Sequence, residues 1–212
     1  MIYLKKITKI EVQKKNKHRY SVYINDSFEF GINEEVLLKY GLEVGSEIDE
    51  YFIENILKSE EQSKAKNYAL NLLSYRQRSE KEISRKMSDK GYEDNIIDNT
   101  IKFLEKNKLL NDREFAKSFI RDKVNIQKWG RNRIMIELCR KGVNKELINE
   151  VIEEEIEDEL EYETAKKLAL KKISTTYKKD EKRVQYRKLY GFLQRKGYKS
   201  DIISRVLSEI IK

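Results

Sequence analysis

Basic side chains are the residues of this chain best suited to holding a partner, and they fall into three clusters. The first is Arg76 and Arg78, the second Lys128, Arg131, Arg133, Arg140 and Lys141, and the third Lys182, Arg183, Arg187, Lys188, Arg195 and Lys196. Positive charge repeated along a surface suits a polyanion such as nucleic acid, or an acidic protein groove. Trp129 stands beside Gly130 and two arginines, where it could stack a base. The expectation is instead a core residue under the glycine turn, since tryptophan is mostly buried.

Other chemistry finds little support. No P-loop, dinucleotide-binding glycine pattern, Ser/His/Asp set or metal-ligand spacing is present, so neither an enzyme nor a cofactor is expected. His18 is the single histidine and reads as a solvated turn residue, not a metal ligand. Cys139 is the single cysteine. It is expected to be a buried or half-buried structural thiol within the helix of Ile134 and Leu138. No apolar run reaches the 18 or so residues of a membrane span, and no signal pattern opens the chain, so a cytoplasmic protein is expected.

The elements that position the basic clusters announce themselves by repetition. A twelve-residue pattern occurs three times, as Lys90-Gly91-Tyr92 to Ile101, Lys141-Gly142-Val143 to Ile152, and Lys196-Gly197-Tyr198 to Leu207. Each copy has an apolar pair five and six residues after the glycine (Ile96/Ile97, Leu147/Ile148, Ile202/Ile203), which is helical spacing. Met87 and Ile83, Leu138 and Ile134, and Leu193 and Leu189 lie four and eight residues before each glycine. They predict a second helix upstream. Tyr68-Ala69, Phe115-Ala116 and Leu168-Ala169 mark a third, where a small residue permits close helix approach.

Three helices per unit follow, with the glycines 51 and 55 residues apart. Such units stack into an array. Proline is absent and the hydrophobic fraction is 39%, so helices run uninterrupted around thin cores. The first sixty residues differ. Alternation in Lys9 to Gln13, Arg19 to Ile24 and Phe28 to Phe30 predicts strands, the first turn lying around Asn16-Lys17. Asn33-Glu34-Glu35 starts a short helix that Gly41 ends.

The fold class expected is mainly α: three tandem three-helix repeats in an elongated array after a small β-rich N-terminal module. Boundaries are set at 1–48 for the module, 49–64 for a linking helix, and 65–110, 111–157 and 158–212 for the repeats. A monomer is expected, because no long heptad seam is present. One unbroken helix is expected from Glu146 to Lys172, where no glycine or proline intervenes.

Charge is segregated along this frame. Residues 146–163 carry ten acidic and no basic side chains, whereas 164–212 carry fifteen basic and four acidic ones. Locally, Ser79 and Glu82 have the spacing of a capping box, and Asn111 to Glu114 repeats that helix-start logic. Helix-turn-helix DNA binding is the main rival architecture. It needs Arg, Lys, Asn or Gln on the final helix of each unit, whereas the first two final helices are acidic.

Several ordered motifs resemble a known family: Arg76-x-Arg78-Ser79-Glu80-x-Glu82-Ile83, Leu109 to Ala116, Gly130-Arg131-x-Arg133-Ile134, and Phe192-Leu193-x-Arg195-Lys196-Gly197-Tyr198. Over residues 60–212 the chain is similar to RecX, the bacterial family that regulates the RecA recombinase. The resemblance implies a non-enzymatic protein that binds the groove of the RecA filament on single-stranded DNA. There it limits filament growth, strand exchange, ATP hydrolysis and coprotease activity, and so DNA repair, recombination and the SOS response. The N-terminal module is similar to extensions of longer members. The acidic stretch Glu153 to Glu159 departs from the pattern and is expected to be a solvated face.

Overall fold

The computed structural model describes residues 4–211. Its backbone falls into two compact units. One runs through residue 76 and includes 83–109; the other comprises 77–82 and 110 onward.

In the first unit, strands β1 (Lys5–Gln13), β2 (Asn16–Ile24), β3 (Ser27–Asn33) and β4 (Glu47–Ile48) form an antiparallel sheet of order β3-β2-β1-β4. The first hairpin turns at Lys14-Lys15, two residues before the place expected from sequence. His18 therefore stands in β2 and not in the turn. It is exposed, its Nδ1 2.9 Å from Glu34 Oε2. The second hairpin turns through Asn25 and Asp26, both at positive φ, which matches the twist of the flanking strands.

Helix α1 (Glu34–Tyr40) follows β3 and ends at Gly41 in the left-handed region. Asn33 occupies the N-cap position without capping the helix. Its amide group instead donates to Ser63 and accepts from Arg19. Asp49 caps α2 (Glu50–Tyr75), accepting from the Phe52 amide at 2.7 Å.

Helix α2 serves two cores. Ile53 and Ile56 complete the sheet core of Ile7, Val22, Ile24, Phe30 and Ile32, while Ala65 and Ala69 are buried further along the same helix. Glu60 fixes the junction. Only 2% exposed, it accepts from Arg19 Nη1 and from the Asn33 amide, both at 2.7 Å.

The first repeat consists of α2, α3 (Glu80–Asp89) and α4 (Asp94–Lys106). In the second unit, α5 (Asp112–Asn125), α6 (Arg131–Arg140) and α7 (Lys145–Glu155) form the second repeat. The third comprises α8 (Asp158–Ser174), α9 (Lys182–Lys196) and α10 (Ser200–Ile210). The three alanines of the bulky-Ala pairs are all fully buried, as are Ile83, Met87, Ile134, Leu138, Leu189 and Leu193. The unbroken helix expected from Glu146 to Lys172 is not formed. Ile156 and Glu157 are extended and separate α7 from α8. The Arg131 guanidinium takes the Ile156 carbonyl at 2.5 Å, a long-range contact that substitutes for continued helix bonds.

Candidate functional site

The Lys-Gly marks close the second helix of each repeat. Gly91, Gly142 and Gly197 all have positive φ, and the following Tyr92, Val143 and Tyr198 amides donate to Met87, Leu138 and Leu193. This left-handed cap suits glycine because no Cβ meets the backbone.

Two of the marks also join neighbouring helices. The Ser79 hydroxyl donates to the Lys141 carbonyl at 2.5 Å and Lys141 Nζ lies 3.0 Å from Glu82. A Cβ on Gly142 would come within 2.3 Å of Lys81 Cβ. The Gly130 and Asn132 amides donate to the Lys196 and Gly197 carbonyls at 2.9 and 3.0 Å. There a Cβ on Gly197 would lie 2.5 Å from Arg133 N. In both places the glycine turn of one second helix seats on the start of another. Gly91, with nothing within 4 Å, has no such neighbour. The Ser79 and Glu82 capping box is formed, each side chain accepting from the other's amide. Asn111 caps α5.

These joints absorb part of the predicted basic face. Lys141 and Lys196 are half-buried, and Lys196 Nζ donates to the Gln127 carbonyl at 2.8 Å. Burial, helped by nearby Arg133, lowers the Lys196 pKa. Arg133 donates to the Arg195 carbonyl and covers the Trp129 ring, its guanidinium carbon 4.1 Å from the centroid. Trp129 itself is half-buried against the core of the second repeat. Lys128 is exposed, but its carbonyl accepts from the Tyr198 hydroxyl.

Arg131 does not belong to an exposed face. It is 4% exposed and lies against Glu161, Glu153 and Asp158 at 2.9, 2.7 and 2.5 Å. Burial raises the Glu161 carboxyl pKa, and Arg131 opposes that rise. Cys139 is exposed, contrary to expectation. Its neighbour Leu138 takes the buried face, and one helical residue turns about 100° from the next. The acidic stretch is largely paired rather than simply solvated. Glu150 and Glu154 meet Arg113, Glu154 also meets Lys117, and Glu155 meets Arg121 in a two-bond contact.

Most of the remaining predicted cations are exposed. Arg76 is exposed beyond α2 and Arg78 half-buried. Arg140 is exposed and reaches Glu137 at 3.0 Å. On and beside α9, Lys182, Arg183, Arg187, Lys188 and Arg195 are exposed, Lys188 pairing with Asp180. Sequence reasoning passed over the tyrosines among them. Tyr186 and Tyr190 stack at 6.4 Å on the same helix, and their spacing of four could have revealed them.

Tandem three-helix units whose second helices end in a glycine cap define a helical-repeat protein. Four family models match the chain in order: the regulatory protein RecX N-terminal domain over residues 5–49, then the first, second and third RecX three-helix domains over 65–104, 111–152 and 158–207. Regulatory protein RecX of Clostridioides difficile (strain 630) is 40% identical over 205 residues, covering 97% of this chain and 95% of the relative. That of Clostridium perfringens (strain SM101 / Type A) is 37% identical over 206 residues, covering 97% and 96%. A crystal structure of regulatory protein RecX matches with TM-score 0.80 at 31% identity, covering 97% of this chain and all of that one. The crystal structure of RecX from Lactobacillus salivarius matches with TM-score 0.67 at 30% identity, covering 72% and 97%. The chain belongs to the RecX family of regulatory proteins.

No helix among the described residues is long and apolar enough to cross a membrane.

Proposed function

We propose that this protein is a cytoplasmic, monomeric, non-enzymatic regulator of the RecA recombinase. It binds the RecA filament on single-stranded DNA and limits filament growth, strand exchange and ATP hydrolysis, and so restrains recombinational repair and the SOS response. The observation that carries this reading is the ordered match of all four RecX domains along nearly the whole chain.

The chemistry agrees with an anionic partner. Arg76, Arg78, Lys128, Arg140, Lys182, Arg183, Arg187, Lys188 and Arg195 form the contact set, with Arg133, Lys141 and Lys196 held in joints between helices. Arg131 is left out because it is buried. Contacts distributed over several units add through effective concentration, so each can be modest.

The test is a titration of purified protein into RecA ATPase and strand-exchange reactions. Both rates should fall at substoichiometric to stoichiometric protein. Unchanged rates, with equal affinity for bare single-stranded DNA and for the nucleotide-locked filament, would make this a general nucleic-acid binder instead.

A further inference from the structure

We propose that the outward face of α9 is a base-stacking track for single-stranded nucleic acid, built from Arg183, Tyr186, Arg187 and Tyr190. This deepens the single-strand part of the proposed function and rests on it.

The four residues are spaced by three, one and three, so they share one side of the helix. Leu189 and Leu193, fully buried in the core of the third repeat, flank the tyrosine edge of this stripe, and Tyr190 is half-buried against the same core. The stripe therefore runs along the rim of that core, Tyr190 seating it on the fold while Arg183, Tyr186 and Arg187 are exposed. Tyr186 is 41% exposed. Its ring lies nearly parallel to that of Tyr190, with 24° between the planes. Among the described residues neither phenol hydroxyl has a hydrogen-bond partner, and neither the Arg183 nor the Arg187 guanidinium has a counterion. Eight basic and two acidic side chains fall between residues 178 and 196.

The contrast with the second repeat sharpens the case. There Arg113, Lys117, Arg121 and Arg131 all meet carboxylates, so their charge is neutralised within the fold. On α9 the charge of Arg183 and Arg187 is left for a partner. Phosphates would satisfy the arginines, and an exposed aromatic ring between them offers a flat apolar surface that bases cover. A duplex hides its base faces in its own stack and offers only edges, so the track selects unpaired strands. An acidic protein groove would match the charge but leave the parallel rings without a role.

The experiment measures fluorescence anisotropy of the full chain with labelled oligo(dT), an abasic oligonucleotide of equal length, and a duplex. The variants are Tyr186→Ala alone, Tyr186→Ala with Tyr190→Ala, the corresponding Phe pair, and Arg183→Gln with Arg187→Gln. Circular dichroism melting checks the fold, and Tyr186→Ala alone keeps the test valid if the pair loosens the core beneath Tyr190. The alanine pair should lose about tenfold or more in oligo(dT) affinity, Tyr186→Ala alone a smaller share. Abasic binding should stay unchanged and the Phe pair should behave as wild type. The arginine pair should weaken both single strands and flatten the salt slope by about two. Equal losses on oligo(dT) and abasic strands, or oligo(dT) affinity within about twofold of wild type in both alanine variants, would overturn the track.

RecA ATPase inhibition read in parallel separates this from the proposed function. Loss of oligo(dT) binding without any wild-type effect on RecA would keep the track and remove the regulator. Alanine variants that bind oligo(dT) normally but fail to inhibit RecA would make α9 a protein contact and overturn the track.

Discussion

Arg131 and Glu161 form a buried ion pair, Nε to Oε2 at 2.9 Å, with each side chain no more than 4% exposed. The contact is close without being a well-aligned hydrogen bond, but the Arg131 amide also donates to Glu161 Oε1 at 3.0 Å. Removing the cation strands a carboxylate out of water. Arg131→Ala should therefore cost about 3–5 kcal/mol. The loss should depend on pH. Burial already raises the Glu161 pKa, and Arg131 opposes that, so the variant's folded value rises further. A carboxyl whose folded pKa is raised favours the fold below its unfolded value, and that contribution is lost as pH rises through the folded value. Urea melts at about pH 7 and about pH 5 should show the variant recovering stability relative to wild type on acidification. An equal deficit at both would assign the cost to lost packing.

The three Lys-Gly glycines differ in what surrounds them, so identical substitutions should separate. Gly91→Ala meets no neighbour and carries only the left-handed strain of about 1–2 kcal/mol. Gly197→Ala has that strain plus a Cβ about to strike Arg133 N at 2.5 Å and Arg133 Cβ at 2.3 Å. It should cost clearly more, about 3 kcal/mol or above. Thermal melts of the two variants decide it, and equal costs would mean that the joint yields easily.

Glu60 ties the sheet to α2 through Arg19 and the Asn33 amide. Glu60→Ala should cost about 2–3 kcal/mol, as loss of charge-assisted hydrogen bonds does. Hydrogen exchange would locate the effect. The Asn33 amide should lose protection most, while amides of α6 stay protected; uniform loss would show a global defect instead.

Much of the fold was legible because it is local. The spacing of Ile83 and Met87, Ile134 and Leu138, and Leu189 and Leu193 before each glycine is set by one helix, and the Ser79 box by four residues. What sequence could not show depended on distant partners. Arg131 has the neighbours of a surface arginine, and its burial is decided by Glu161, thirty residues away. The same guanidinium takes the Ile156 carbonyl and breaks a helix that periodicity would continue. The basic clusters were visible, but not the division between cations used in joints, such as Lys196, and those left outward, such as Arg187. The first hairpin turn was misplaced because Lys14 to Lys17 is uniformly polar and gives no turn-specific residue until Asn16.

That division of cations gives the last prediction. Arg113 and Arg121 are bound to Glu150, Glu154 and Glu155, whereas Arg183 and Arg187 have no counterion among the described residues. Replacing either pair by glutamine lowers the formal net charge equally, from +8 to +6. If binding followed net charge alone, the two double variants would lose affinity for single-stranded DNA alike. If placement governs, Arg183→Gln with Arg187→Gln should weaken DNA binding and RecA inhibition several-fold. Arg113→Gln with Arg121→Gln should leave both near wild type, because those charges were already neutralised. The α5 pair should in turn alter stability only slightly, since exposed ion pairs contribute about 0–1 kcal/mol each. Anisotropy titrations at matched salt make the comparison, and equal losses in the two variants would sink the assignment of the binding face to α9.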